Sequence, residues 1–211
     1  MAEAFLFLAS GCVFGLAGGF TPGPTTALVV AQTLRFGLAD GIKVAIAPLL
    51  TDAPIIAVAL VLMGQLVQVE PVIGVVTLLG AAFLVYLAVE SFRVRGVELP
   101  DDMIEPRSLR RGFVVNLLNP HPYLFWFVLG APTLLKAVNE SVLAAVLFVV
   151  GLYVCLVGAK ILVAWLVARS RSFLKSRGYL YVNRLLGIAL AVFALLFLRD
   201  GLGFLGVIPR D

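Results

Sequence analysis

Two short stretches and two isolated charges hold most of the residues of this sequence that could do chemistry. The first stretch is Thr21-Pro22-Gly23-Pro24, followed by Thr25 and Thr26. The second is Asn119-Pro120-His121-Pro122, preceded by Asn116 and followed by Tyr123. A proline has no N–H and its ring clashes with the preceding turn, so each Pro-x-Pro pair leaves backbone carbonyls without helical donors. The helix that restarts beyond each pair turns its N-terminus toward the break, where free N–H groups and partial positive charge suit a carboxylate. The carbonyls before the breaks, with Thr21 and Asn119, suit an ammonium group. A site with both features fits a zwitterionic amino acid.

The two charges are Asp52 and Lys160, each deep inside an apolar run. Counted from the basic ends of their runs, Asp52 lies about 15 Å in and Lys160 about 13 Å at the helical rise of 1.5 Å per residue. At similar depth they could meet. Ionisable groups inside a membrane are rare and usually line a pathway, relay protons or pair with one another. A static pair that only fixes helix register is the structural alternative. Cys12 and Cys155 lie in apolar runs and read as small buried hydrophobes rather than a disulfide. His121 has no His or Cys neighbour to build a metal site, so neither metal nor cofactor is expected. Glu90 is expected at an interface. Trp126, Trp165, Tyr86 and Tyr153 are expected to pack or to form the aromatic belt, and Tyr123 differs in adjoining a break.

The elements that position these residues follow from composition. Of 211 residues 62% are hydrophobic and 13% charged, with a mean hydropathy of +1.08. A soluble domain carries about 25% charged residues. The apolar excess falls in long runs, so lipid is the solvent for most of the chain. The net charge of +4 sits in short loops, which is the membrane-topology signal and not a nucleic-acid surface. With about 20 apolar residues needed per crossing, the expected spans are 4–34 (broken at 18–24), 42–67, 72–92, 112–135 (broken at 119–122), 141–168 and 179–198. The last requires Arg184 to snorkel to the interface. The first apolar stretch runs past signal-peptide length and lacks a basic start, so it is expected to remain as a span. Alternating the spans puts all of the sixteen basic residues except Lys136, Lys160, Arg199 and Arg210 on one side. That side should be cytoplasmic, with both termini outside.

Each half opens with a span broken by Pro-x-Pro and continues with two more. Three spans being odd, the second half enters the membrane upside down, the pattern of an inverted repeat whose broken helices frame the binding site. Ordinary proline kinks, common in membrane helices, are the alternative. The expected fold is therefore an all-α integral membrane protein of six transmembrane helices in two inverted three-helix repeats. It forms a single domain over 1–211, with repeat one at 1–93, a cytoplasmic loop at 94–108 and repeat two at 109–211.

Phe20-Thr21-Pro22-Gly23-Pro24, then Gly37, Gly41 and Asp52, resemble the amino-terminal signature of the LysE/RhtB amino-acid exporter family. Arg111-Gly112-Phe113 with Asn116-Leu117-Leu118-Asn119-Pro120 resembles its second-half signature, and the likeness covers nearly the whole chain. The resemblance implies a prokaryotic plasma-membrane exporter of amino acids or related small solutes, not an enzyme, driven by a proton or sodium gradient. The breaks and buried charges give the residues expected at the substrate site, Thr21, Pro22, Gly23, Pro24, Thr25, Asn116, Asn119, Pro120, His121 and Tyr123, with ion coupling expected at Asp52 and Lys160. The expected partners are the solute, the ion and the bilayer, with a homo-oligomer left open. Two departures fall beside this site. The family often has lysine after Asn-Pro, where this chain has His121. It is usually glycine-rich before the acidic residue, where this chain reads Ala45-Ile46-Ala47-Pro48-Leu49-Leu50-Thr51. A channel remains a rival reading. Redox chemistry is disfavoured because the two cysteines are not at corresponding places in the halves.

Overall fold

The computed structural model describes residues 2–21, 23–66, 70–93, 108–169 and 177–208. Pro22, the loop from 94 to 107, Arg171, Lys175 and Arg210 lie outside the described residues, as do the side chains of Glu90 and Pro120. The described chain is helical throughout, with no strand. Its helices are α1 (Ala2–Phe20), α2 (Pro24–Phe36), α3 (Leu38–Ala45), α4 (Ala47–Leu66), α5 (Glu70–Arg93), α6 (Ser108–Leu118), α7 (Pro120–Phe125), α8 (Ala131–Glu140), α9 (Val142–Arg169) and α10 (Arg177–Phe204). A π-helical turn, Trp126–Gly130, joins α7 to α8.

Among the described residues five stretches are long and apolar enough to cross a membrane: Glu3–Phe20, Leu38–Gln65, Gly74–Arg93, Val142–Arg169 and Gly187–Phe204. The expected fourth span is present only in pieces, as α6, α7, the π turn and α8. The last of these windows begins after Arg184 and includes Arg199 and Asp200, and Lys136 meets Asp200 at 3.3 Å.

The breaks have local causes. Pro48 has no N–H for Val44, and the ladder is interrupted at Ile46, whose carbonyl accepts from Leu49 N–H three residues on at 3.1 Å. Gly37, at φ 93°, takes a backbone conformation that other residues rarely adopt, and α2 gives way to α3 there. Pro132, in the first turn of α8, cannot donate to Val128. One residue earlier, Ala131 donates five residues back to Trp126, which makes the π turn.

Packing rests on small residues. Gly11, Gly15 and Gly19, at spacings of four, form one stripe of α1 laid against α9. A Cβ on Gly11 would collide with the Phe148 carbonyl, on Gly15 with that of Leu152, and on Gly19 with Ala159. The paired numbers rise together, so α1 and α9 run parallel. The same holds for α4 and α6, where Gly112 lies against Val44 and Ala47, and Asn116 against Thr51. By contrast α5 and α10 are antiparallel, with Gly74 at Leu205 and Gly187 at Phe92. Small-residue stripes are what bring membrane helices close where lipid supplies no hydrophobic drive. The outward faces carry Leu6, Val61, Leu79, Val142, Val154, Leu185 and Leu195, all exposed and apolar. The centre is closed by Phe14, which sits edge-on to Phe125 and Phe148 and 5.2 Å from Phe193.

A candidate solute site between the two breaks

Where α1 ends, the backbone of Thr21 still donates to Ala17 at 2.9 Å. The next helical donor, to the Gly18 carbonyl, would be residue 22, a proline without an N–H. The ammonium of Lys160, reaching across from α9, takes that place. Its Nζ is 3.3 Å from Gly18 O and 3.0 Å from Thr26 Oγ1. Thr26 in turn donates to the Thr21 carbonyl at 3.0 Å. Helix α2 then starts at Gly23-Pro24 with no side chain capping its first turn.

The second break accounts for its backbone differently. Pro120 cannot donate to Asn116, and Asn119 N–H does so instead at 3.2 Å. The Asn119 side chain accepts from His121 N–H at 3.1 Å, an ordinary N-cap. With that N–H used, the Leu117 carbonyl takes the Tyr123 hydroxyl at 2.8 Å. The sequence suggested two equivalent helix starts open to a carboxylate and two sets of carbonyls open to an ammonium. In the structure one of the His121-side donors is capped, and the Gly18 carbonyl holds the protein's own ammonium.

Between the breaks lies a cavity of about 130 Å³. Thr21, Gly23, Pro24 and Thr25 line it from the first break, Asn116, Asn119, His121 and Pro122 from the second, and Asp52 and Lys160 from the sides. Phe14, Phe83, Phe125 and several leucines form the remaining walls. Tyr123 is not among the lining residues, because its hydroxyl is turned to Leu117. Of the residues singled out from sequence, eight of the ten break residues are therefore placed: seven on the cavity wall and Tyr123 behind it.

Asp52 and Lys160 are each only 4% exposed, yet they form no ion pair among the described residues. The Asp52 carboxylate is instead met by Asn116 Nδ2 at 3.1 Å on one oxygen, and by Tyr153 OH at 3.2 Å and Trp126 Nε1 at 3.4 Å on the other. Thr51 Oγ1 is 3.3 Å away and shares its proton with the Ala47 carbonyl. Donors of this kind replace the water that a buried carboxylate loses. Asn116 also accepts from Thr25 Oγ1 at 3.1 Å, so one amide connects the first break to Asp52.

Trp126 and Tyr153 were expected to be packing or belt residues, and their polar tips were missed. One signal was available: Tyr153 and Lys160 are seven residues apart on α9, two turns along one face. The indole contact had no signal, because its direction depends on the π turn. Also unforeseen is Ser108 Oγ, 2.8 Å from Asp40 and 2.9 Å from Gln32, which ties α6 to α3 and α2. Cys12 and Cys155 are free, half-buried thiols on the packed faces of α1 and α9, Cys12 beside Gly151 and Cys155 beside Gly15. The described residues hold no group of three His, Cys, Asp or Glu that could bind a metal.

A family model described as LysE type translocator matches residues 16–201. No curated protein and no solved structure matches the chain.

Proposed function

Because the chain belongs to the LysE type translocator family, we propose that it is a secondary transporter exporting an amino acid or related small solute in exchange for an inward proton. The observation that carries this reading is the convergence of both helix breaks with two buried, opposite charges, which form no ion pair among the described residues, on one cavity. A carrier needs a midplane site and a charge that can change partners, and broken helices supply such sites in membranes. The start of α2 offers the carboxylate of the solute N–H donors and partial positive charge. Asp52 is the coupling residue: it is bound by Asn116, Tyr153 and Trp126 in this conformation, and in the opposite one it takes a proton from outside and releases it inside.

In this reading the chain makes six crossings in two inverted repeats, 1–93 and 109–211, with the basic side cytoplasmic and both termini outside. The packing supports it. Exchanging the halves carries the α1–α9 contact onto that between α4 and the α6–α8 segment, and carries α5–α10 onto itself. The directions agree, since both exchanged pairs are parallel.

The test is transport by the purified protein in proteoliposomes. The expected result is saturable counterflow of an amino acid, accumulating against its gradient when a pH difference is imposed. A flux that neither saturates nor responds to the pH difference would make the protein a channel. Accumulation driven by a sodium gradient alone would replace the proton as the coupling ion.

A further inference from the structure

We propose that the Lys160 ammonium is a built-in stand-in for the positively charged end of the transported solute. It fills a primary-ammonium subsite made by the Gly18 carbonyl and the Thr26 hydroxyl, and yields it when a solute ammonium enters. The inference rests on the export reading above and goes further, giving that solute's cationic end a place and a competitor.

Three observations carry it. The subsite is forced by sequence: the Gly18 carbonyl has lost its helical donor to Pro22, and an acceptor stranded in an apolar interior demands a donor. Lys160 supplies one at 3.3 Å and reaches Thr26 at 3.0 Å, with Thr26 held in place by its own bond to Thr21. The donor is also a poor permanent cap. An ammonium has three N–H groups, and among the described residues only two are used and no carboxylate touches it, so its charge is uncompensated by contact there. Finally, Lys160 has somewhere to go. Asp52 lines the same cavity, and the flexible four-carbon stem of a lysine lets its head move without the helix moving. Entry of a solute ammonium at Gly18 and Thr26 would send Lys160 toward Asp52, pulling that carboxylate from Asn116, Tyr153 and Trp126. Occupation of the solute site and the state of the coupling residue are thereby joined through one side chain.

Methylammonium is the probe, added to the purified full-length protein in nanodiscs, with thermal unfolding as the readout. Sodium and tetramethylammonium, at matched ionic strength, are the controls. Wild type should be stabilised saturably by methylammonium and not by tetramethylammonium, which has no N–H. Lys160→Met should be stabilised at a concentration at least about tenfold lower, because no tethered competitor remains. Thr26→Val in the Lys160→Met background should abolish the effect. Asp52→Asn with Lys160 intact should weaken it, because the displaced lysine loses its destination. Stabilisation of Lys160→Met without any effect on wild type would mean that the lysine is a fixed cap, and the proposal fails. It fails equally if sodium acts as well as methylammonium, or if wild type never responds, whatever the variants do. Should Lys160→Met not fold, Lys160→Ala prepared with n-propylammonium replaces it, and folding that is indifferent to that amine counts against the subsite. Amino-acid counterflow, measured in parallel, separates the two readings. Counterflow without a methylammonium response leaves export standing and removes the subsite, and the converse result does the reverse.

Discussion

At the scale of single residues, the central fact is that Asp52 is held by neutral donors and not by the lysine at its own depth. Asp52→Asn therefore changes more than a charge. The amide keeps one acceptor oxygen and puts an NH2 where donors already point. The Tyr153 hydroxyl can turn and accept, but the Trp126 N–H cannot. The substitution should lower stability by about 1–3 kcal/mol, the cost of one unsatisfied buried polar contact, and should abolish pH-driven accumulation while leaving protein in the membrane. Adding Lys160→Met should restore neither property, because the two side chains are not a contact pair. Recovery of both full stability and proton-driven export in the double variant would show Asp52 to be only a structural partner. Tyr153→Phe makes a milder test. It should cost about 1 kcal/mol and weaken coupling more than solute affinity, which proton-driven uptake and counterflow measured on the same preparation will separate.

At the scale of elements, the broken helices divide the labour unequally. The first break leaves a carbonyl that a distant side chain must fill; the second caps itself with Asn119 and Tyr123. Replacing Pro22 and Pro24 together with alanine should let α1 and α2 join, give Gly18 a helical donor and dislodge Lys160. Transport should be lost with the protein still inserted, and transport at the wild-type level would reduce the prolines to kinks. The register of α1 on α9 can be tested with native residues. Mild oxidation should close Cys12 to Cys155 within one chain, and the free-thiol count should fall from two to none. Two thiols persisting in the unfolded, oxidised protein would contradict the parallel pairing. Much at this level was legible in the residues themselves. Apolar run lengths located the helices, and the Pro-x-Pro pairs located both breaks, because a missing N–H is a local property. What pairs with what was not legible. That Gly18 would receive Lys160, and Asp52 would receive Trp126 and Tyr153, depends on helix rotation, which Gly11, Gly15, Gly19 and the π turn settle through packing.

At the scale of the whole molecule, the described chain is an all-helical membrane protein, and in the proposed reading its two halves exchange contacts in matching pairs. The placement of the basic residues predicts its orientation. Single cysteines introduced between Arg93 and Arg111, in a background lacking Cys12 and Cys155, should resist impermeant thiol reagents in intact cells. One introduced after Arg210 should react. The reverse pattern would invert the transporter and with it the direction of proton entry.

The π turn at Trp126–Gly130 has a mechanical meaning. It stores one residue more than an α-helical ladder needs over the same rise. Such a surplus is a dislocation in the helix: it can be absorbed or passed along, and each residue transferred turns one segment against the other by about 100°. Tightening this turn to α geometry would rotate Trp126 relative to α8 and swing its indole N–H off Asp52. The segment between the second break and α8 is thus built as a screw of one thread, with the Asp52 carboxylate at its tip.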